Sequence, residues 1–242
     1  MNKERRASDP MTVMAIRKRL RQYADREQAA LLRRFFKTGP GEYGEGDVFI
    51  GVRVPCSRIV AKEFGDLALG EVVKLLRSRV HEERLVALLI LVSQFQSADE
   101  KGRGQIYRIY LKNHSFINNW DLIDLSAHHI LGGFLRGKEQ TPLYSLARSG
   151  SLWKRRMAVL ATFRYIRDRD LKETLKIARM LLKDKEDLIH KAVGWALREV
   201  GKRDEPLLES FLKKHHQKMP RTMLRYAIER FPEPKRQRYL KR

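Results

Sequence analysis

A short internal repeat of about 36 residues is the sequence feature that most constrains the fold. Similar helical segments recur along the chain, and their equivalent residues Arg84, Trp120, Arg156 and Lys191 lie 36, 36 and 35 positions apart. A period of this length accommodates two helices and two turns. Hairpins that each bury an apolar face against their neighbours stack into a solenoid. We therefore expect an all-α superhelical solenoid of antiparallel helical hairpins.

The hydrophobic pattern agrees with this expectation. Apolar residues recur at helical spacing along almost the whole chain, and alternating strand patterns joined by Asn-Gly or Asp-Gly turns are missing. The pattern predicts helices over residues 11–23, 26–37, 56–64, 69–78, 82–97, 101–113, 119–135, 139–149, 152–167, 171–183, 187–202, 205–216, 220–231 and 234–240.

One glycine-rich segment interrupts the helical pattern. Residues 39–46 read Gly-Pro-Gly-Glu-Tyr-Gly-Glu-Gly, a composition that excludes a helix and predicts a loop. This loop separates a short N-terminal hairpin from the remaining helices, and no later low-complexity stretch divides the chain. We expect a frayed N-terminus over residues 1–10 and a single repeat domain over residues 11–242.

The charge balance indicates the class of partner. Lys and Arg number 51 against 29 Asp and Glu, which gives a formal net charge of +22. Self-repulsion on this scale is relieved by a polyanion, most often nucleic acid and less often an anionic membrane surface. The richest apolar stretch, Leu85–Val92, is too short to span a bilayer, so we expect no membrane insertion.

Cysteine usage and the N-terminal sequence indicate the compartment. The single cysteine, Cys56, excludes an intramolecular disulfide and a cysteine-based zinc cluster, and it fits a reducing environment. The first residues are followed by no apolar run of signal-peptide length. These features predict a cytoplasmic protein.

Two pairs of residues stand out as candidates for a site. Trp120 and Asp124 are four residues apart and share one face of a helix, and Trp195 and Arg198 share a face three residues apart. An aromatic face beside a carboxylate binds a cation, and the basic surroundings suggest a cation carried by a polyanion. Because equivalent helices of a solenoid lie side by side, these residues and Arg156 can converge on a concave basic face.

Four segments of the chain resemble the DNA alkylation repair family, the AlkD-type DNA glycosylases built from HEAT-like repeats. The resemblance runs from about Phe49 to Arg230 and keeps the family's order and spacing. The four segments are Gly51–Arg58, Trp120–Asp124, Trp153–Ala158 and Lys191–Glu199.

The resemblance implies a monomeric glycosylase that removes positively charged N3- and N7-alkylated purines from double-stranded DNA, without flipping the base into a pocket. By this resemblance Asp124 is the catalytic carboxylate, and Trp120 and Trp195 are aromatic walls at the lesion. A DNA-associated protein of a bacterial-type cytosol is expected. The DNA-binding residues that the resemblance implies are Arg53, Arg58, Arg156, Lys191 and Arg198.

Sequence patterns for metals and nucleotide cofactors are not matched, so we expect neither. The adjacent pairs His128-His129 and His215-His216 lack the His-Glu-x-x-His spacing, and the glycine segments match neither the Walker A nor the dinucleotide pattern.

Each candidate residue also has an ordinary structural role to weigh. Trp120 and Trp195 would then pack in the core, Asp124 would form an ion pair, and the arginines would occupy solvated faces. His128 is either a surface histidine or a hydrogen-bond partner of Asp124. The alternative functions are a non-catalytic solenoid that binds damaged or branched DNA and a scaffold that binds an acidic protein.

Overall fold

The computed structural model describes residues 11–241, and in this range the protein is all-α apart from an isolated parallel bridge between Val48 and Val80. Residues 1–10, expected to fray, and Arg242 lie outside the described residues. Two short 3-10 helices cover His114–Phe116 and His216–Lys218. The α-helices are α1 (Val13–Arg21), α2 (Arg26–Phe35), α3 (Val54–Glu63), α4 (Leu69–Leu76), α5 (His81–Ser97), α6 (Glu100–Lys112), α7 (Trp120–Leu135), α8 (Thr141–Ala147), α9 (Leu152–Ala161), α10 (Phe163–Arg167), α11 (Lys172–Met180), α12 (Asp187–Gly201), α13 (Glu205–His215), α14 (Arg221–Ala227) and α15 (Glu233–Leu240).

Polar residues directly before several helices explain where those helices begin. At each of these positions an extended residue accepts a hydrogen bond from a backbone N–H inside the first turn, which satisfies a donor that the helix leaves free. The capping residues are Thr12 of α1, Asp25 of α2, Asp99 of α6 and Asp204 of α13.

The prediction of one helix over residues 152–167 is wrong, because this segment forms α9 and α10. The break falls at Thr162, a buried residue whose hydroxyl donates a hydrogen bond of 2.7 Å to the carbonyl of Val159. A threonine that bonds back to its own helix competes with the backbone hydrogen bonds and ends the regular turn. The expected loop over residues 39–46 is confirmed, since the segment consists of turns.

The chain divides into two compact units, one ending at Ser126 and the other beginning at Ala127, within α7. In the first unit α5 is the central helix and packs against α3, α4 and α6. In the second unit α12 is central and packs against α9, α11, α13 and α14. No helix within residues 11–241 combines the length and apolar character that a membrane span requires.

Candidate functional site

In the first unit, Trp120 opens α7 and packs on the end of the N-terminal hairpin. Its indole stacks on Phe36, with ring centroids 5.3 Å apart and an interplanar angle of 24°, and it meets Phe35 edge-on at 5.9 Å. Phe36, Phe49 and Ala29 form the buried part of this cluster, and Trp120 itself is partly buried. One face of the indole is therefore used in packing.

Asp124 follows one turn later on α7 and is partly buried. Its neighbour Tyr110 is fully buried and shares a hydrogen bond of 2.8 Å with Ser126. Burial raises the pKa of Tyr110, and the negative charge of Asp124 acts in the same direction. Trp120 and Asp124 thus lie one helical turn apart, as the sequence predicts.

A buried polar cluster at the start of α5 lies next to Trp120. Nδ1 of His81 is 3.1 Å from Oδ2 of Asp47, and its Nε2 is 2.7 Å from Oδ2 of Asp121. Arg84 donates a hydrogen bond of 2.6 Å to the other oxygen of Asp47. His81, Asp47 and Arg84 are at most 7% exposed, so solvent screens these interactions little.

Asn119 connects this cluster to the backbone of Trp120. Its amide nitrogen donates to Oδ2 of Asp47 at 3.3 Å, and its side-chain oxygen accepts from the N–H of Trp120 at 2.8 Å. The residues on both sides of Trp120, Asn119 and Asp121, are therefore held by the Asp47 and His81 pair.

Glu82, the next residue of α5, binds the loop that precedes α3. Its carboxylate accepts hydrogen bonds from the backbone N–H groups of Ile50, Gly51 and Val52 at 2.8 to 3.2 Å. Gly51 has φ of +85°, and a Cβ there would lie 1.9 Å from the carbonyl oxygen of Asp25. Only glycine fits this close approach, which accounts for the glycine that begins the first family-like segment.

A cavity of about 280 Å³ adjoins the cluster. Phe36, Phe49, His81 and Asp121 contribute to its lining, together with Arg53. Arg53 precedes the first residue of α3 and is exposed, as is Arg58 within that helix. Both arginines are accessible for the DNA contacts that the family resemblance implies, and this role stays a prediction.

The hydrogen bonds and charges of the cluster stabilise the charged forms of His81 and Asp47. Burial lowers the pKa of His81, but the hydrogen bonds to Asp121 and Asp47 outweigh it, so the pKa lies above the ordinary value. Burial likewise opposes the charge of Asp47, yet the bonds from His81 and the charge of Arg84 hold the pKa of this carboxyl below its usual range.

In the second unit, α9 and α12 carry the other predicted site residues. Arg156 of α9 is 5% exposed and donates a hydrogen bond of 2.7 Å to the backbone carbonyl of Leu188 on α12. Trp195 of α12 is partly buried and meets Phe163 edge-on, with ring centroids 4.5 Å apart. Arg156 is thus tied to the helix that also carries Trp195 and Arg198.

Arg198 and Lys191 of α12 are paired with carboxylates. Arg198 Nη1 donates to Glu229, and its side chain is 18% exposed. Lys191 lies 2.7 Å from Asp187, one turn earlier, and is partly exposed. A phosphate that bound either residue would have to compete with these partners.

The ring of His128 lies 3.9 Å from that of its neighbour His129. Burial, with the charges of His128, Arg164 and Arg167, lowers the pKa of His129 to about 4, so this residue is neutral at pH 7. Within residues 11–241, no group of three or more His, Cys, Asp or Glu side chains is arranged to hold a metal ion.

Sequence reasoning missed the polar cluster of the first unit. Asp121, which was not among the candidate site residues, is paired with His81 in the structure. One signal was present: His81, Glu82, Glu83 and Arg84 form a polar run directly before the apolar stretch of the same helix, and all four are buried.

Comparisons with known proteins find a matching family and a similar fold. A family model described as "DNA alkylation repair enzyme" matches residues 16–231. Among solved structures, the chain is similar to a predicted DNA alkylation repair enzyme from Enterococcus faecalis, with 17% identity and a TM-score of 0.68 over 87% of this chain and 97% of that one. This likeness shows a shared fold. A search of curated proteins finds no match.

Proposed function

The chain belongs to the DNA alkylation repair enzyme family, and on that premise we propose that it is a DNA glycosylase that hydrolyses the N-glycosidic bond of positively charged N3- and N7-alkylated purines. The observation that carries this proposal is the Trp120 and Asp124 pair, one turn apart at the start of α7, in a chain that also keeps Trp195 and Arg198 on α12. The substrate is alkylated double-stranded DNA.

The chemistry requires few groups, because an N3- or N7-alkylated purine already carries a positive charge and is a good leaving group. As the glycosidic bond breaks, its electron pair moves to the base nitrogen, and the deoxyribose acquires oxocarbenium character. We assign Asp124 the role of stabilising that charge and accepting a proton from the water whose oxygen bonds to C1′. The base departs neutral, so no general acid is needed.

The aromatic residues and the basic surface complete the proposed mechanism. Indole faces of Trp120 and Trp195 stabilise a cationic base or sugar by roughly 0.5–2 kcal/mol each. Arg53, Arg58, Arg156, Lys191 and Arg198 are proposed to contact phosphates, and the net charge of +22 favours DNA as the partner.

Incubation of the protein with methylated genomic DNA, followed by chromatography of the released bases, tests the proposal. We expect 3-methyladenine and 7-methylguanine in the soluble fraction. A protein that binds the duplex but releases no base would instead be a DNA-binding module, and the proposed glycosylase activity would be wrong.

A further inference from the structure

The hydrogen bonds of His81 constrain its protonation state. Both ring nitrogens lie within hydrogen-bonding distance of a carboxylate oxygen. Nδ1 lies next to the carboxylate of Asp47, and Nε2 lies next to that of Asp121. An ionised carboxylate only accepts hydrogen bonds, and a neutral imidazole has one N–H to donate. Both bonds can therefore form together only when the ring carries two protons.

The charges around His81 agree with a doubly protonated ring. The charged groups that face it are Asp47 from the loop before α3, Asp121 from α7 and Arg84 from its own helix. Two carboxylates and one guanidinium together carry a net charge of −1, which the positive charge of the imidazolium neutralises. The neighbouring carboxylates have other partners, Glu82 with the backbone of residues 50–52 and Glu83 with Arg17.

The cluster holds the backbone of Trp120 in place, because both sequence neighbours of Trp120 are bound by it. Asp121 is held by His81, and Asn119 is held by Asp47 while it accepts from the N–H of Trp120. The ring of Phe36, on which the indole stacks, is itself 5.0 Å from His81. His81 thus contacts both carboxylates and, through the rings of Phe36 and Phe49, the aromatic cluster.

We propose that His81, in its doubly protonated form, is a positioning residue that joins Asp47 to Asp121 and so fixes the first turn of α7, with Trp120 and, one turn later, Asp124. We call this link between Asp47 and Asp121 the His81 clamp. The effect on base release rests on the proposed function, whereas the clamp itself does not. Loss of a proton leaves one N–H on the ring, so one of the two carboxylates loses its hydrogen bond and the link between Asp47 and Asp121 is broken. The cavity beside the cluster leaves the Asp121 side chain 17% exposed, which gives solvent a route for proton exchange.

Two measurements that need no substrate test the clamp. The nitrogen chemical shifts of the His81 ring, measured by NMR on the isotope-labelled full chain, should show both ring nitrogens protonated at pH 7. A shift typical of an unprotonated ring nitrogen would overturn the proposal. In a Trp153→Phe/Trp195→Phe background, the fluorescence of Trp120 should change in one single-proton transition as the pH rises through the raised pKa of His81.

The variant Asp121→Asn separates a protonation-dependent clamp from a merely structural contact. Its amide can donate to the unprotonated Nε2 of a neutral His81 while Nδ1 still donates to Asp47, so the contact survives without the second proton. We expect the fluorescence transition to disappear. The matched control Glu83→Gln alters a buried carboxylate of the same helix that pairs with Arg17, and the transition should stay at the wild-type pH. An unchanged transition in Asp121→Asn would overturn the proposal.

Base release by the otherwise wild-type chain provides the functional measurement. The rate should fall about tenfold per pH unit above the pKa of His81, because loss of one proton inactivates the site. This decrease at high pH, the alkaline limb of the pH–rate profile, should vanish in Asp121→Asn. A limb that persists in Asp121→Asn would show that His81 does not position the site. If the NMR and fluorescence results hold but no base is released at any pH, the glycosylase proposal fails and the clamp stands.

Discussion

The indole of Trp120 stacks on the ring of Phe36, 5.3 Å away, so the residue proposed to face the lesion is also part of a small hydrophobic core. Phe36 directly follows α2 and in turn contacts Phe49 and His81. The position of Trp120 therefore depends on three segments that are distant in the sequence.

Replacement of Phe36 should destabilise the protein and loosen Trp120. Phe36 is 7% exposed, and Phe36→Ala should lower the free energy of unfolding by about 3–5 kcal/mol through lost burial and cavity formation. Urea denaturation monitored by circular dichroism measures this. The matched control is Phe35→Ala, since Phe35 also meets the indole but is 62% exposed, and it should cost at most about 1.5 kcal/mol. Equal losses would contradict the assigned core.

Asp124→Asn should nearly abolish base release. The substitution removes a negative charge that the proposed mechanism uses only in the transition state, so a loss of about 10²–10³ in rate is expected. Affinity for duplex DNA should be unchanged or slightly higher, because phosphate contacts are kept. Single-turnover kinetics and fluorescence anisotropy measure the two effects, and near-wild-type release would remove Asp124 from the catalytic role.

Arg198 and Glu229 offer a pair of substitutions with opposite outcomes. Arg198→Ala should weaken binding to lesioned and undamaged duplex alike and reduce the salt dependence of binding by about one unit. Glu229→Gln removes the carboxylate that pairs with Arg198 and should strengthen binding. Salt titrations of both variants measure these effects. If the dependence of log K on log salt concentration has the same slope in Arg198→Ala as in the wild type, Arg198 lies on a solvated face and does not bind phosphate.

Arg156→Ala should likewise weaken binding to both duplexes, and it should also lower stability. Its guanidinium donates to the carbonyl of Leu188, and loss of a buried partner costs about 1–3 kcal/mol. Binding is therefore compared at temperatures where circular dichroism shows the variant to be fully folded. A loss of stability with an unchanged salt titration would assign Arg156 to packing alone.

Gly194 lies where the backbone of α12 comes close to α14. A Cβ at this position would lie 2.5 Å from Cβ of Tyr226 and 2.6 Å from the carbonyl oxygen of Met223. Gly194→Ala should therefore destabilise the protein by about 1–3 kcal/mol or more. Among residues 11–241, a Cβ at Gly70 of α4 would meet no atom within 4 Å beyond its own stretch of helix, so Gly70→Ala should change stability by at most about 1 kcal/mol. Thermal denaturation of the two variants makes the comparison.

Base release should follow the formal charge of the leaving base. With one carboxylate and no acid in the proposed mechanism, 3-methyladenine and 7-methylguanine should be excised from duplex DNA. Hypoxanthine, uracil and ethenoadenine should stay at background in the same chromatographic assay. Release of hypoxanthine at a comparable rate would require a general acid, and His128, four residues after Asp124, would be the first residue to replace.

The sequence alone determined the all-α class and the spacing of Trp120 and Asp124 on α7, because both follow from contacts within one or two helical turns. Long-range packing decided the rest. The partners of His81 lie 34 and 40 residues away in the chain, and Gly194 approaches residues of another helix. The break at Thr162 required a buried hydroxyl to bond back to Val159. Periodicity reports which face of a helix is buried; which buried charge meets which partner is selected only when the helices pack.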